Sequence, residues 1–84
     1  MEKMYKIPMG NGYYLFKLEK LLAERKISKN KLMRDTNTDF KVIQRLMKGD
    51  VTRVDVTIIS RLCDYFNCKE TDLFEYFPNI KNNN

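Results

Sequence analysis

Apolar side chains recur at helical spacing along most of the chain. Leu15, Leu18 and Leu22 fall at i, i+3 and i+7, and Leu21 widens the stripe, while Lys17, Glu19, Lys20 and Glu24 lie mostly outside it. This pattern predicts an amphipathic helix over roughly residues 14–26. Ser28 is a good N-cap for a short second helix over 29–35 that buries Leu32 and Met33. Thr36-Asn37-Thr38 interrupts it. A third helix is expected over 40–48, capped by Asp39 or Thr38 and stopped by Gly49. In that helix Ile43, Leu46 and Met47 make the buried face, and Lys41, Gln44, Arg45 and Lys48 take the opposite one. Asp55 caps a fourth helix over 56–67 with Ile59, Leu62, Cys63 and Phe66 inward. A short fifth helix, near Lys69–Tyr76, would contribute Leu73 and then Phe74 and Phe77, with Pro78 ending it.

The ends of the chain read differently. Pro8 and Gly10-Asn11-Gly12 break any helix near the start, so residues 1–13 are expected as a short irregular or extended N-terminal arm. A hairpin between Tyr5–Met9 and Tyr13–Phe16 also fits, but helical periodicity claims the second stretch more strongly. The polar tail 78–84 is expected to be disordered. Residues 14–77 then form one five-helix, all-α domain. Eighty-four residues allow no more than one core.

Charge adds direction to this picture. Residues 25–53 hold nine basic and three acidic side chains, a balance of 9 − 3 = +6, whereas the other 84 − 29 = 55 residues balance to −1. A positive charge gathered in one third of the chain suggests a polyanionic partner. No apolar run approaches the ~20 residues that span a bilayer, and the start lacks the apolar stretch of a secretion signal, so a cytoplasmic protein without membrane contact is expected. The chain has no histidine, which removes the commonest general base and metal ligand. Cys63 and Cys68 match no C-x-x-C pattern and read as reduced core residues. Three glycines form no phosphate loop. The acids Asp64, Glu70, Asp72 and Glu75 read as solubilising charge. No enzyme, cofactor or metal is expected.

The informative stretch is SKNKLMRDTNTDFKVIQRLMKG, residues 28–49, a short helix, a tight turn and a second helix. With the run VDVTIISRLCDYFNCKETDLFEY that follows, the segment from about Tyr14 to Tyr76 resembles the helix-turn-helix domain of the Cro and lambda-repressor type, also called the xenobiotic-response-element family. The resemblance implies a lambda-repressor-like DNA-binding domain whose helix 40–48 lies in the major groove of double-stranded DNA. Carried over position by position, Phe40, Lys41, Gln44 and Arg45 fall where the family reads bases. Lys29, with Asn30 and Lys31 beside it, falls at the start of the second helix, where phosphate is contacted. Lys48 and Arg53 are further backbone candidates. The implied role is a repressor-like transcriptional regulator acting as a homodimer. The alternative is a protein-interaction module on the same fold, an antitoxin or antirepressor partner, with DNA binding secondary.

The residues themselves agree in part. Arginine pairs with guanine O6/N7 and glutamine with adenine N6/N7, which singles out Arg45 and Gln44. Lysines in the first turn of a helix face the positive dipole end, at a cost of ~0.3–1 kcal/mol each, which a bound phosphate would reverse. The bland alternative is that Lys29 and Lys31 point into water. There are departures from the family pattern. Asn37 stands where glycine is usual, Met33 where a small residue is usual, and Thr38 where an apolar one is. Phe40 either reaches a thymine methyl group or folds back beside Ile43 and Met47.

Overall fold

The computed structural model describes residues 4–79; residues 1–3 and the last part of the expected polar tail, 80–84, lie outside the described residues. The chain opens with a hairpin. Strand β1 (Tyr5–Met9) pairs antiparallel with β2 (Gly12–Phe16), from Tyr5↔Phe16 to Met9↔Gly12. The two-residue connection begins with Gly10 at φ 61°, a left-handed value that glycine takes without a Cβ penalty and that hairpin turns require there. Helices α1 (Leu18–Arg25), α2 (Lys29–Thr36), α3 (Phe40–Lys48) and α4 (Val56–Phe66) follow. A 3-10 turn at Glu70–Asp72 leads into β3 (Phe74–Phe77), which pairs with β2 on the side away from β1.

The expectation of a five-helix, all-α domain is therefore corrected: among the described residues, four α-helices carry a three-stranded antiparallel sheet. Two segments account for the difference. Residues 14–16 belong to β2, not to the first helix. Leu15 stands three residues before Leu18, which mimics a helical repeat, yet it lies on the outer side of the sheet, while its neighbours Tyr14 and Phe16 turn to the core. Tyr13-Tyr14-Leu15-Phe16 are strong strand formers, and a Gly-led turn supplies them a partner. The expected fifth helix is likewise replaced. Lys69 donates its backbone N–H to the Asp72 carboxylate at 3.0 Å, which holds one 3-10 turn. Phe74-Glu75-Tyr76-Phe77 then alternates in and out against Phe16, Leu15, Tyr14 and Tyr13. β3 pairs its backbone with β2 along its length, whereas a helix of about two turns stopped by Pro78 would leave most of its end N–H and C=O groups without partners.

The helix caps sit where the sequence places them. Ser28 Oγ accepts from the Lys31 N–H at 3.0 Å, Asp39 Oδ1 from Lys41 at 2.7 Å, and Asp55 Oδ1 from Thr57 at 2.9 Å. All four helices end alike, with a left-handed residue (Lys26, Asn37, Gly49, Asn67) and a six-to-one backbone bond behind it. These closing bonds run from Ile27 to Leu22, Thr38 to Met33, Asp50 to Arg45 and Cys68 to Cys63, at 2.9–3.1 Å. Asparagine tolerates this conformation better than most side chains, so Asn37 fills the glycine position of the turn.

The core joins the helices to one side of the sheet. Leu18, Leu22, Leu32, Ile43, Leu46, Leu62, Phe66 and Leu73 are buried together with Phe16 from β2. Gly49 is the hinge between layers. A Cβ there would come within 2.6 Å of Ile7 Cγ1 and 2.7 Å of Phe16 Cδ1, so the sheet lies directly on the C-terminal end of α3. Thr36 and Thr38 are buried, and both are satisfied: Thr36 Oγ1 donates to the Leu32 carbonyl at 2.6 Å and shares a 2.9 Å bond with the Thr38 hydroxyl. Thr38 thus replaces an apolar pin with a hydrogen-bonded one. Among the described residues no helix is long and apolar enough to cross a membrane.

Candidate nucleic-acid interface

The site is built by α2 and α3, crossing through a turn of Asn37 to Asp39. The spacing that buries Ile43, Leu46 and Met47 leaves the other side of α3 to solvent. There Lys41, Arg45 and Lys48 are exposed and Gln44 is half-buried, and together with Asp50 they line one shallow depression. Among the described residues none of these three cations is engaged in an ion pair. Their charges are available to a ligand.

Phe40, the first residue of α3, is half-buried and lies outside the buried core. The Lys29 ammonium stands 6.0 Å from its ring centroid, which brings the starts of α2 and α3 side by side. Lys29, Asn30 and Lys31 are all exposed at the first turn of α2. Lys31 differs from Lys29 in being occupied. Its ammonium lies 2.9 Å from Asp35 Oδ2, which also accepts from the Tyr65 hydroxyl at 2.6 Å. The hydrogen bond to Asp35 holds the Lys31 ammonium above its usual range, and the Tyr65 and Lys31 hydrogen bonds hold the Asp35 carboxyl below its own. Arg53 is exposed in the loop before α4, beside an apolar groove lined by Val42, Leu46, Val51, Val54 and Ile58.

Two basic residues of the charged segment serve the fold instead. Arg25 donates to the Phe66 carbonyl at 2.9 Å and so caps the end of α4. Lys26 is the left-handed cap of α1. Two further residues escape a reading of the sequence alone. Arg61 on α4 donates to the Asn37 carbonyl at 3.3 Å and braces the turn between α2 and α3. Asp50 enters the α3 surface because the closing bond from its N–H to Arg45 folds it back along the helix; its place just after Gly49 was the available signal.

Two short helices crossing at a three-residue turn, the second with a basic, hydrogen-bonding flank, define a helix-turn-helix protein. A family model described as a Cro/C1-type HTH DNA-binding domain matches residues 17–79, and the chain belongs to that family. Membership carries DNA binding and a part in transcription regulation. The match begins just after β2, so both strands of the hairpin precede it. Neither curated proteins nor solved structures give a match.

Proposed function

We propose that the protein is a sequence-specific, repressor-like regulator that acts by binding rather than catalysis, in the cytoplasm, as a homodimer on a two-fold symmetric site. In this reading α3 enters the major groove, with Gln44 and Arg45 as the principal base readers and Lys41 and Phe40 beside them. Lys29, Asn30, Lys48 and Arg53 hold phosphates, and Lys31 contributes less because Asp35 already engages it. The observation that carries the reading is the α3 flank, where exposed Lys41, Arg45 and Lys48 share one surface with Gln44 and, among the described residues, make no ion pair. Two half-sites read by a dimer would lie roughly 34–36 Å apart.

Selection of bound duplexes from random DNA at fixed salt tests it, followed by two substitutions on the selected site. Arg45→Ala should cost about 1–3 kcal/mol and relax preference at one base pair. Lys29→Ala should weaken all sequences evenly and flatten the plot of log K against log salt by about one phosphate's share, ~0.9. No enriched sequence, or two folded variants that bind like the parent, would refute the docking.

A further inference from the structure

The sheet has two faces, and the fold uses one. Strand pairing sets Tyr5, Ile7, Tyr14, Phe16 and Phe74 on the side that packs on the core. The other side carries two rows that cross all three strands, Lys6–Leu15–Glu75 and Pro8–Tyr13–Phe77. Tyr13 and Phe77 stack with centroids 5.3 Å apart and planes at 22°, and the Lys6 ammonium lies 4.4 Å from the Tyr13 ring centroid. Among the described residues none of Tyr13, Leu15 and Phe77 packs against the core. Tyr13, Leu15 and Phe77 are half-buried and keep part of their apolar surface on this face, and apolar surface gathered in one place is the kind that interaction sites use.

The placement of charge on that face indicates its cover. Lys6 stands on one edge strand and Glu75 on the other, level with each other, with Leu15 between them. Take a second copy and turn it by half a revolution about an axis lying in the interface, parallel to the strands. The edges exchange and the rows stay level. Lys6 of each copy then meets Glu75 of the other, Leu15 meets Leu15, Tyr13 meets Tyr13, and Pro8 opposes Phe77. An in-plane axis across the strands would instead bring like charges together, or lay the charged row on the apolar one. Glu75 uses Oε1 for Lys17, at 2.8 Å, which leaves its second oxygen for the facing lysine. Sheets commonly pack face to face with strands nearly aligned, and a surface that complements itself under a two-fold axis is the commonest kind of subunit contact.

We propose that the outer sheet face is the dimer interface, occupied by a second copy of this chain related by a two-fold axis along the strands. This gives the homodimer of the proposed function its surface and rests on that reading only for its purpose. Mass is measured without DNA, so failure here and failure to bind DNA are separate results.

The test is sedimentation of the full chain alone and in mixtures. The parent should run at about 20 kDa, 2 × 10.1 kDa. Leu15→Lys and Leu15→Glu, each placing like charges on the axis, should each run at 10.1 kDa with unchanged circular dichroism. Mixed one to one, they should return to the dimer mass. A monomeric parent, variants that remain dimeric alone, or folded variants that stay monomeric when mixed would each overturn the proposal. Should the Leu15 variants unfold, Lys6→Glu and Glu75→Lys pose the same question from the edges. Each alone should dissociate more readily than the parent, and the mixture should recover both pairs between the copies. A mixture no tighter than either variant alone would also overturn it.

Discussion

Substituting Gly49 by alanine probes the junction on which the recognition surface rests. Three terms set the size of the effect. The φ of 73° puts a Cβ in left-handed backbone, at about 1–2 kcal/mol. Restricting the unfolded chain returns about 0.4–1 kcal/mol. The new carbon would stand 2.6 Å from Ile7 Cγ1 and 2.7 Å from Phe16 Cδ1. Both neighbours lie on paired strands, so relief requires moving the sheet, and overpacking of that kind costs about 1–3 kcal/mol. The net loss is centred near 3 kcal/mol, a large part of the ~4–13 kcal/mol expected for a domain of this length. At about 4–8 °C per kcal/mol the midpoint of thermal unfolding should fall by about 12–24 °C. Gly10→Ala is the control. Its φ of 61° imposes similar strain, but the nearest atom to the added carbon is the Tyr76 hydroxyl at 3.4 Å, an ordinary contact. Its expected loss is about 1 kcal/mol. Melting curves by circular dichroism compare the two. Equal midpoints for the two variants would refute the claim that the sheet bears on α3.

Two other groups give independent checks. Tyr65→Phe removes the largest cause of the lowered Asp35 pKa, so that carboxyl should titrate closer to its usual 3.8. Because the folded pKa lies below the unfolded one, the pairing stabilises above about pH 4 and is lost as pH falls through the folded value. Carboxyl NMR should show the upward move on substitution, and an unchanged titration would exclude the Tyr65 bond. Burial pushes the Cys68 thiol up to about 11. Its alkylation by iodoacetamide should be slow at neutral pH and climb about tenfold per pH unit until near that value, since the thiolate is the nucleophile. A plateau below pH 9 would contradict the buried setting.

What the sequence made legible follows the range of the interactions involved. Ser28, Asp39, Asp55 and Gly49 act on backbone groups two or three residues away, and they fixed the ends of α2, α3 and α4 closely. The outward face of α3 followed from its buried triplet alone. The errors lie where the partner is distant. Tyr14 pairs with Tyr76, and nothing near either residue announces the other. Without that partner, Leu15 counted toward a helix it does not join. The same limit applies within the site. The pairing of Lys31 with Asp35 is a four-residue spacing open to inspection, but the Tyr65 hydroxyl that shares the carboxylate comes from α4.

The central position of β2 has a consequence for synthesis. Its first neighbour is made before it, yet its second begins at Phe74, after all four helices. While the ribosome works through that interval, one side of β2 offers unpaired amides and carbonyls, the kind of edge that recruits stray strands. Closure also waits on a loop of more than fifty residues, a distant pairing of the sort that slows folding. A chain released before Phe74 would hold every residue proposed to touch DNA and still lack the strand that seals its hairpin; such a fragment should aggregate rather than bind.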